Sequence, residues 1–388
     1  MAKQDTLYPS LDTPVVLLHL DKLEENIKRI QQAADEAGVK LRPHTKVHQS
    51  VDIAEMQIAA GACGIEVGPL DQAVPMAEEG ITDILVAHPF YGEHKFEKLK
   101  SLLSVFPKLK LTIVVDMIEQ AEGISQVGQE AGKKIPVLIK LDLGNDRYGV
   151  LPGKPTLDLA RKLQKLPGIG LAGLYAHEIG TKPTEESKAK VAFEFATTVC
   201  EMARMLKKEG FNIAHVSVGA SPTHFDTCRF IKEGRFPEIT ELHPGQRAIG
   251  DIRYTMSGGN TREECAATVL VSVMSTSHPN HVIVDAGWKT FGADSVIERS
   301  DTPGFFWNGR PNFGYVQGRS DLRFVRVAAE TSWVYYMEGA NKDLKIGDRL
   351  EIVPNGINLV INIHDKLYGV RNGKIERVIR ITGRGRGS

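Results

Sequence analysis

One short stretch, R-P-H-T-K-V-H-Q-S from Arg42 to Ser50, places a lysine among other basic side chains. Arg42 and His44 lie within four residues of Lys46, and Pro43 stiffens the chain between them. Neighbouring positive charge and partial burial both lower the pKa of a lysine, because they disfavour its protonated form. A neutral amine is nucleophilic toward an aldehyde, so Lys46 could form a Schiff base. The alternative is a solvated surface lysine that follows a helix.

Two further stretches carry polar residues at the ends of predicted strands. In K-L-D-L-G-N-D-R-Y-G-V a glycine turn presents Arg147, which could face an anion such as a phenolate oxygen. A solvated Asp–Arg pair would explain the same pattern. In L-Y-A-H-E-I-G-T, Tyr175 and His177 fall on the same side of a strand. His177 could therefore stack on a ring or hydrogen-bond to it, although a lone histidine at a strand end is more often structural.

A last stretch, H-V-S-V-G-A-S-P-T, leads a strand into a turn that contains Gly219, Ser221 and Thr223. Free backbone N–H groups beside hydroxyls suit a phosphate, although many turns have this composition. A lysine after an early strand and a phosphate turn after a late strand together suggest pyridoxal phosphate. Phosphate sites of barrel enzymes commonly lie after the late strands.

The elements that must position these residues alternate between apolar strands and helical stretches over the first two-thirds of the chain. The predicted strands are Pro14–Leu20, Gly64–Val67, Ile84–Ala87, Leu111–Asp116, Val137–Asp142, Leu171–Ala176 and Val216–Gly219. The predicted helices include Asp71–Gly80, Met117–Gly132, Pro155–Leu166 and Glu185–Gly210. Repeated strand–helix units indicate a parallel sheet, and seven or eight without a gap favour a closed (β/α)8 barrel. The polar residues then lie at the C-terminal ends of the strands, the catalytic face of such a barrel.

After about Asp251 the pattern changes to β-rich segments that are separated by Gly, Asn and Asp turns. The predicted fold class is therefore α/β, with a (β/α)8 TIM-like barrel followed by a C-terminal, mostly antiparallel β domain. We expect residues 21–250 to form the barrel and residues 251–388 to belong to the β domain.

Composition excludes several classes of partner. The net charge is zero, which gives no general attraction to nucleic acid or to anionic membranes. No apolar run reaches the roughly 18 residues of a membrane span. The first residues, M-A-K-Q-D-T-L-Y-P-S, lack the apolar core of a signal peptide, and the four cysteines contain no CxxC pair. We expect a cytoplasmic protein that acts on a small molecule, with no nucleic-acid or membrane partner.

Six motifs occur in a fixed order along the chain: H-T-K-V-H, D-L-G-N-D-R-Y-G-V, Y-A-H-E-I-G-T, E-L-H-P-G, V-D-A-G-W-K and H-D-K-L-Y-G-V-R-N-G-K. As a set they resemble the D-threonine aldolase and D-serine dehydratase family, which has the alanine-racemase-like fold. The resemblance extends from about Thr13 to Lys374. It implies that residues 1–20 join the β domain and that the protein forms a homodimer.

The resemblance also implies roles for the residues singled out above. Lys46 matches the Schiff-base lysine, and Arg147 matches an arginine beside the ring oxygen of pyridoxal phosphate. Tyr175 and His177 match residues that line the cofactor face. The remaining cofactor-binding positions match the phosphate turn: Gly219, Ser221 and Thr223.

One segment departs from the family pattern. Members carry a histidine and, two residues later, a cysteine or aspartate that bind a metal. By spacing, these positions fall on Gly356 and Asn358. Glycine has no ligand atom, and an asparagine amide is a poor ligand for zinc. His364 and Asp365 match a family pair outside the metal site, so we interpret them as part of a structural turn. The sequence therefore predicts no metal at this site.

The resemblance implies a pyridoxal-phosphate-dependent lyase that acts on D-β-hydroxy amino acids through an external aldimine with Lys46 displaced. The reaction is either C–C cleavage, as in D-threonine aldolase, or elimination, as in D-serine dehydratase. Without a metal, a side chain such as His177 has to act on the hydroxyl, so Lys46 and His177 are the predicted catalytic residues.

Two alternatives stay open. A metal-independent amino-acid racemase or epimerase would use Lys46 on one face of the α-carbon and an unidentified group on the other. A non-catalytic carrier of pyridoxal phosphate is the other alternative. The large β domain argues against the carrier, because a carrier needs no second wall for a substrate site.

Overall fold

The computed structural model describes residues 7–293 and 306–387, apart from the side chain of Phe306. Backbone contacts divide the described chain into two compact units. The first consists of the chain up to Asn26, Val47–Gln49 and Ala248–Gly385. The second contains Ile27–Lys46 and Ser50–Arg247. The domain limits proposed from the sequence, at residues 21 and 250, stay a prediction.

The strands of the described residues, in chain order, are β1 Val15–His19, β2 Lys40–Leu41, β3 Ile65–Val67, β4 Asp83–Val86, β5 Lys110–Val115, β6 Ile135–Lys140, β7 Ile169–Ala176, β8 His215–Val218, β9 Glu241–Leu242, β10 Ala267–His278, β11 His281–Val284, β12 Phe306–Trp307, β13 Arg310–Pro311, β14 Gly314–Val316, β15 Leu322–Val327, β16 Ser332–Tyr336, β17 Arg349–Pro354, β18 Lys366–Arg371 and β19 Lys374–Arg380. The α-helices are α1 Leu20–Ala37, α2 Val51–Ala59, α3 Ala73–Glu78, α4 Glu93–Val105, α5 Ile118–Glu130, α6 Lys154–Leu163, α7 Glu185–Lys208, α8 His224–Lys232, α9 Ile252–Met256, α10 Trp288–Phe291 and α11 Ile357–Ile363. Short 3-10 turns span Thr45–Val47, Leu70–Gln72 and Gln246–Ala248.

The second unit is built on an eight-stranded sheet in the order β2-β9-β8-β7-β6-β5-β4-β3, and all its strand pairs are parallel. Beyond β2, an isolated parallel bridge pairs His44 with Glu66 of β3. The backbone N–H of Glu66 also donates to the carbonyl of Pro43 at 2.9 Å. These contacts join the two ends of the strand order, which confirms the predicted barrel.

Apolar side chains explain why the barrel strands form where they do. Leu85, Val114, Leu138 and Tyr175 come from β4, β5, β6 and β7 and pack into one buried cluster. Parallel strands that are covered on both faces are expected to be apolar throughout, and this pattern made them visible in the sequence. The observed bounds of β3 to β8 lie within two residues of the predicted ones. The prediction missed the two-residue strands β2 and β9, because such short segments show no periodicity.

The first unit contains the other large sheet of the described chain. Its strand order is β15-β16-β11-β10-β1-β18-β19, with β17 paired to β10 and β14 paired to β17. Every pair is antiparallel except β1 with β18. This confirms the prediction of a mostly antiparallel β domain. Strand β1 lies inside the sheet, between β10 and β18. Among the helices of residues 7–293 and 306–387, none is long and apolar enough to cross a membrane.

Two glycines of β7 allow a test of how closely the barrel strands pack. A Cβ atom at Gly173 would lie 1.5 Å from the carbonyl oxygen of His215 in β8, whereas no atom lies within 4 Å of a Cβ at Gly170. We expect Gly173→Ala to lower the free energy of unfolding by about 3 kcal/mol, because the β7 and β8 backbones must separate. Gly170→Ala serves as the matched control. Urea unfolding followed by circular dichroism measures both, and equal effects of the two changes would contradict the described packing.

Candidate functional site

Lys46 lies in the 3-10 turn Thr45–Val47 that follows β2, and its side chain is half-buried. The backbone N–H of Lys46 donates to Nδ1 of His44 at 3.2 Å, which fixes the turn. Burial lowers the pKa of Lys46; the carboxyl of Glu66 opposes this shift and the charge of Arg147 adds to it. The lysine amine is therefore neutral at a lower pH than an exposed lysine.

Arg42, which the sequence placed beside Lys46, is engaged elsewhere. Its Nε donates to Oε2 of Glu241 at 2.9 Å, and one terminal nitrogen donates to Oδ1 of Asp83 at 2.6 Å. The expectation that Arg42 depresses the pKa of Lys46 is not supported, since Glu66 and Arg147 are the charged groups that act most strongly on it. Arg42 therefore belongs to a buried ion pair, and its closeness to Lys46 in the sequence does not reflect a direct effect on the lysine.

Glu66 is the centre of a buried polar cluster at the barrel mouth. Its Oε1 accepts a hydrogen bond from the hydroxyl of Tyr175 at 2.9 Å and lies 3.5 Å from Nε2 of His44. Its Oε2 lies 3.7 Å from Nδ1 of His243. Burial raises the pKa of Glu66 to about 8, although Tyr175 and the charges of Lys140 and Lys46 act in the opposite direction. Glu66 therefore holds a proton at neutral pH.

His243 connects this cluster to the rest of the site. Its ring stacks on that of Tyr175 with centroids 4.4 Å apart and planes within 8°. Its Nδ1 is 2.8 Å from the hydroxyl of Ser217, whereas its Nε2 is buried and has no hydrogen-bond partner in the described chain. Burial lowers the pKa of His243 to about 3, so the ring is neutral.

His177 lies beyond His243, with ring centroids 6.2 Å apart. Its Nδ1 is 3.1 Å from the carbonyl oxygen of Gly219. Because a carbonyl only accepts, Nδ1 carries the hydrogen and Nε2 keeps a free lone pair. Burial, together with the charge of Lys46, lowers the pKa of His177 well below its ordinary value. His177 is thus a neutral imidazole whose Nε2 can accept a proton.

The turn after β8 has the properties of a phosphate cradle. Gly219 has φ +150°, and a Cβ there would lie 2.9 Å from the backbone nitrogen of His243. The hydroxyl of Ser221 accepts a hydrogen bond from the backbone N–H of Arg247 at 3.1 Å, which leaves its own hydrogen to donate. Helix α8 begins directly after the turn, so unsatisfied N–H groups point toward it.

Thr223 lies in the same turn, but its hydroxyl is used inside the protein. It donates to Oε2 of Glu178 and lies 3.1 Å from the carbonyl oxygen of Ala220. Thr223 is fully buried. The predicted contact between Thr223 and a phosphate therefore depends on the protonation state of Glu178. The sequence did not indicate a role for this residue.

Arg147 occupies the loop after β6. Oδ1 of Asp142 accepts from the backbone nitrogens of Gly144, Asn145 and Asp146 at 3.1, 2.7 and 3.3 Å, and this fixes the loop. The guanidinium of Arg147 is exposed and lies 5.4 Å from the ring centroid of Tyr148.

Lys140 is a second lysine at this end of the barrel. Its Nζ donates to the carbonyl of Ala87 at 2.8 Å and lies 4.9 Å from the ring centroid of Tyr175 and 5.5 Å from that of Tyr148. Burial lowers the pKa of Lys140 to about 8. The carboxyl of Glu66 opposes this shift, and the charge of Arg147 adds to it. Burial and the charge of Lys140 also lower the pKa of His88, to about 4.

These contacts form one continuous series within the second unit. It runs from Lys46 through the residues His44, Glu66, Tyr175, His243, His177 and Gly219. The structure thus brings together most of the predicted residues and adds members that the sequence analysis gave no role. His243 belongs to the motif E-L-H-P-G, so the sequence did indicate that this region belongs to the site. Glu66 had only one signal, a lone carboxylate inside the apolar strand G-I-E-V-G.

Comparison with known proteins gives the family. Residues 18–245 match the family model described as alanine racemase, N-terminal domain, and residues 266–370 match a putative serine dehydratase domain. The chain belongs to the alanine racemase N-terminal domain family. The resemblance that the sequence motifs indicated is thereby confirmed.

Relatives within this family match almost the whole chain. A D-threonine aldolase of Arthrobacter sp. is 31% identical over 97% of this chain and 93% of its own length. A D-threo-3-hydroxyaspartate dehydratase of Delftia sp. (strain HT23) is 32% identical over 91% of this chain and 92% of its own length. The solved structure of the dehydratase from Delftia sp. HT23 superposes with a TM-score of 0.85 at 29% identity and covers 97% of this chain and 99% of that one. A mutant of a D-threo-3-hydroxyaspartate dehydratase has also been solved in a form described as metal-free.

Membership of the alanine racemase family implies pyridoxal phosphate, and the residues present fit this group. Lys46 supplies an amine with a lowered pKa, and the turn at Gly219 leaves no room for a side chain. Two buried polar atoms, Oε2 of Glu66 and Nε2 of His243, lack a hydrogen-bond partner among the described residues. Buried polar atoms are normally satisfied, so these two are available to a polar ligand.

The positions that match the family's metal pair lie in the first unit. Gly356 is the N-terminal cap of α11, and Asn358 is the second residue of that helix and half-buried. His364 is the C-terminal cap of the helix, and its Nε2 lies 3.1 Å from the carbonyl oxygen of Thr290. Asp365 is 2.5 Å from a terminal nitrogen of Arg384. These two contacts are those of a structural turn. Within residues 7–293 and 306–387, no group of three or more His, Cys, Asp or Glu side chains is arranged for a metal ion.

The protonation of Glu66 gives a test of the cluster. Its pKa is about 8 in the folded protein against an ordinary value of 4.5, so the folded protein keeps a proton that the unfolded chain releases between these values. Wild-type stability, relative to Glu66→Gln, should therefore fall by about 1 kcal/mol per pH unit as the pH rises through this window. Urea unfolding at several pH values measures the difference, with Glu186→Gln on the exposed face of α7 as the control. A difference that stays constant with pH would show that Glu66 is ionised.

Proposed function

We propose that the chain is a pyridoxal-phosphate-dependent lyase that acts on D-β-hydroxy amino acids, and that it cleaves the bond between Cα and Cβ. The observation that carries this proposal is the series of contacts that begins at the backbone N–H of Lys46 and reaches the neutral imidazole of His177 and the turn at Gly219. The lowered pKa of the Lys46 amine supports it. Relatives named as an aldolase and a dehydratase match more than nine-tenths of the chain, which supports the reaction class.

Pyridoxal phosphate, when bound, supplies an electron sink for the carbanion at the substrate's α-carbon. Lys46 would hold the cofactor covalently, and its lowered pKa keeps the amine nucleophilic. The turn of Gly219 and Ser221 would hold the phosphate, and Arg147 and Tyr175 would lie against the ring, as the family resemblance implies. Glu66 keeps the hydroxyl of Tyr175 in place through their hydrogen bond.

The state of His177 favours C–C cleavage over elimination. Cleavage between Cα and Cβ requires that the β-hydroxyl lose its proton as the carbonyl forms, and a neutral Nε2 can accept it. Elimination requires that the hydroxyl receive a proton as it leaves. An imidazole whose pKa is held well below its ordinary value carries no such proton at neutral pH, although the same shift also makes it a weaker base. The free lone pair of His177 Nε2, which follows from the hydrogen bond of Nδ1 to the carbonyl of Gly219, therefore supports the aldolase reaction.

We also propose that this reaction does not use a metal at Gly356 and Asn358. The support is chemical: the first residue has no side-chain donor, and the second offers only an amide. His177 then takes the part of activating the hydroxyl that a Lewis acid would otherwise perform. The homodimer and the cytoplasmic location expected from the sequence stay predictions.

The covalent role of Lys46 can be tested directly. Pyridoxal phosphate added to the protein should give an adduct that borohydride reduction makes permanent, and peptide mass spectrometry should find it on Lys46. Lys140 is the internal control, because it is also buried with a lowered pKa. The variant Lys46→Ala should form no adduct and should lack the absorbance band of the imine. An adduct on Lys140, or a band that survives in the variant, would refute the assignment.

The reaction can be tested with a panel of D-threonine, D-serine and D-alanine, each with and without a chelator. We expect glycine and acetaldehyde from D-threonine, at a rate that the chelator does not change, because His177 rather than a metal takes the hydroxyl proton. Keto acid and ammonia would instead indicate elimination, and L-alanine would indicate racemisation. Loss of activity in chelator with recovery on adding zinc or manganese would contradict the metal-independent mechanism. Binding without turnover of any amino acid would favour a carrier.

A further inference from the structure

Glu178 lies two residues after the end of strand β7, which carries Tyr175, and its side chain is buried. Its carboxyl group accepts hydrogen bonds from two members of the turn after β8. The hydroxyl of Thr223 donates to Oε2, and the backbone N–H of Ala220 is also a donor. Glu178 therefore supports the turn from within the protein at both of its ends.

The surroundings of Glu178 disfavour a negative charge. Its Oε1 is buried and has no hydrogen-bond partner in the described chain, and no cation of that part of the chain pairs with it. The groups that face it from α8 are the carboxyl of Asp226 and the thiol of Cys228, whose own pKa burial raises to about 12. Burial, with Asp226 adding to it, raises the pKa of Glu178 to about 8, although the two hydrogen bonds oppose this.

The proton on Glu178 decides where the hydrogen of Thr223 points. An ionised carboxylate only accepts, so Thr223 must donate to it and has no hydrogen left for a ligand. A protonated carboxyl can donate to the oxygen of Thr223, whose own hydrogen is then released to the carbonyl of Ala220, 3.1 Å away, or to a ligand in the turn. A carboxylate at this position would also repel a phosphate dianion at close range in a poorly solvated site.

We propose that Glu178 is a positioning residue that acts in its protonated form, so that the turn binds a phosphate ester while Glu178 is neutral and loses affinity when Glu178 ionises. This inference rests on the proposed function, which assigns the turn to the phosphate of the cofactor. It also explains why a residue matched to phosphate binding, Thr223, has its hydroxyl directed at a carboxyl group. Arg247, whose guanidinium donates to the carbonyl of Ser221 at 3.1 Å, supplies positive charge beside the turn.

The experiment measures the binding of pyridoxine 5′-phosphate to the full chain freed of cofactor, by calorimetry from about pH 6.5 to about pH 9.5. This probe has the ring and the phosphate but no aldehyde, so the chemistry of Lys46 does not enter. The variants are Glu178→Gln, which keeps the shape and cannot ionise, and Asp226→Asn, which removes the facing charge. Glu186→Gln on the exposed face of α7 is the control. Thermal unfolding checks that each variant is folded.

The wild-type dissociation constant should rise, relative to that of Glu178→Gln, by up to about tenfold per pH unit above the pKa of Glu178. Asp226→Asn should move the onset of this rise to lower pH, because Asp226 raises the pKa of Glu178. A purely structural role for Glu178 would weaken binding equally at every pH. A constant ratio between wild type and Glu178→Gln therefore overturns the inference.

Failure of the inference can be told apart from failure of the proposed function. If pyridoxal phosphate forms its adduct with Lys46 but pyridoxine 5′-phosphate binds with the same pH dependence in both proteins, only the role of Glu178 is wrong. If the adduct forms and the probe does not bind at any pH, the turn is not the phosphate site and the inference is overturned with it. If neither the adduct nor probe binding occurs, the proposed function itself fails.

Discussion

The parallel bridge between His44 and Glu66 closes the barrel and at the same time builds the proposed site. Closure requires the chain after β2 to run beside β3, which fixes Lys46 two residues beyond the bridge. It also buries the carboxyl of Glu66, since that side chain belongs to a strand whose residues are all inaccessible to solvent. The position of the lysine and the protonation of the carboxyl thus follow from one constraint. A change that opened this seam would disturb the fold and the chemistry together.

Two buried carboxyls of the same barrel show how strongly the surroundings decide the charge. Burial alone would raise the pKa of Glu241, but His215 and Arg42 lower it to about 2. Glu66 is as deeply buried, and the hydrogen bond from the neutral hydroxyl of Tyr175 lowers its pKa too little to offset burial, so the pKa rises to about 8. Among the described residues of the barrel, some buried carboxyls are therefore held charged and others keep a proton near neutral pH. Only the second kind of group can take part in proton transfer.

The sequence predicted the strands from β3 to β8 because short apolar segments bounded by turns recur along this part of the chain. It did not reveal Glu66 or Glu178, since a single carboxylate inside an apolar strand, or just after one, has no pattern of its own. The spacing of Arg42 and Lys46 was misleading for a related reason. Distance along the chain does not determine where two side chains point. Here the side chain of Arg42 faces Glu241, whereas Lys46 belongs to the 3-10 turn that follows. Strand periodicity predicted that Tyr175 and His177 lie on one side, and in the structure both rings lie against that of His243.

Burial moves the ionisable groups of the site toward their neutral forms. The pKa values of the lysines Lys46 and Lys140 are lowered by burial, and that of Glu178 is raised by it. Burial also lowers the pKa values of the histidines His44 and His177. A site of neutral donors and acceptors can pass protons without first creating isolated buried charges, which would cost far more than a hydrogen bond. Under the proposed function, the charge of the phosphate dianion would be met by the N-terminus of α8, by the hydrogens of Ser221 and Thr223, and by the guanidinium of Arg247 beside the turn. This is why the proton on Glu178, which directs one of those hydrogens, matters to a ligand that it need not touch.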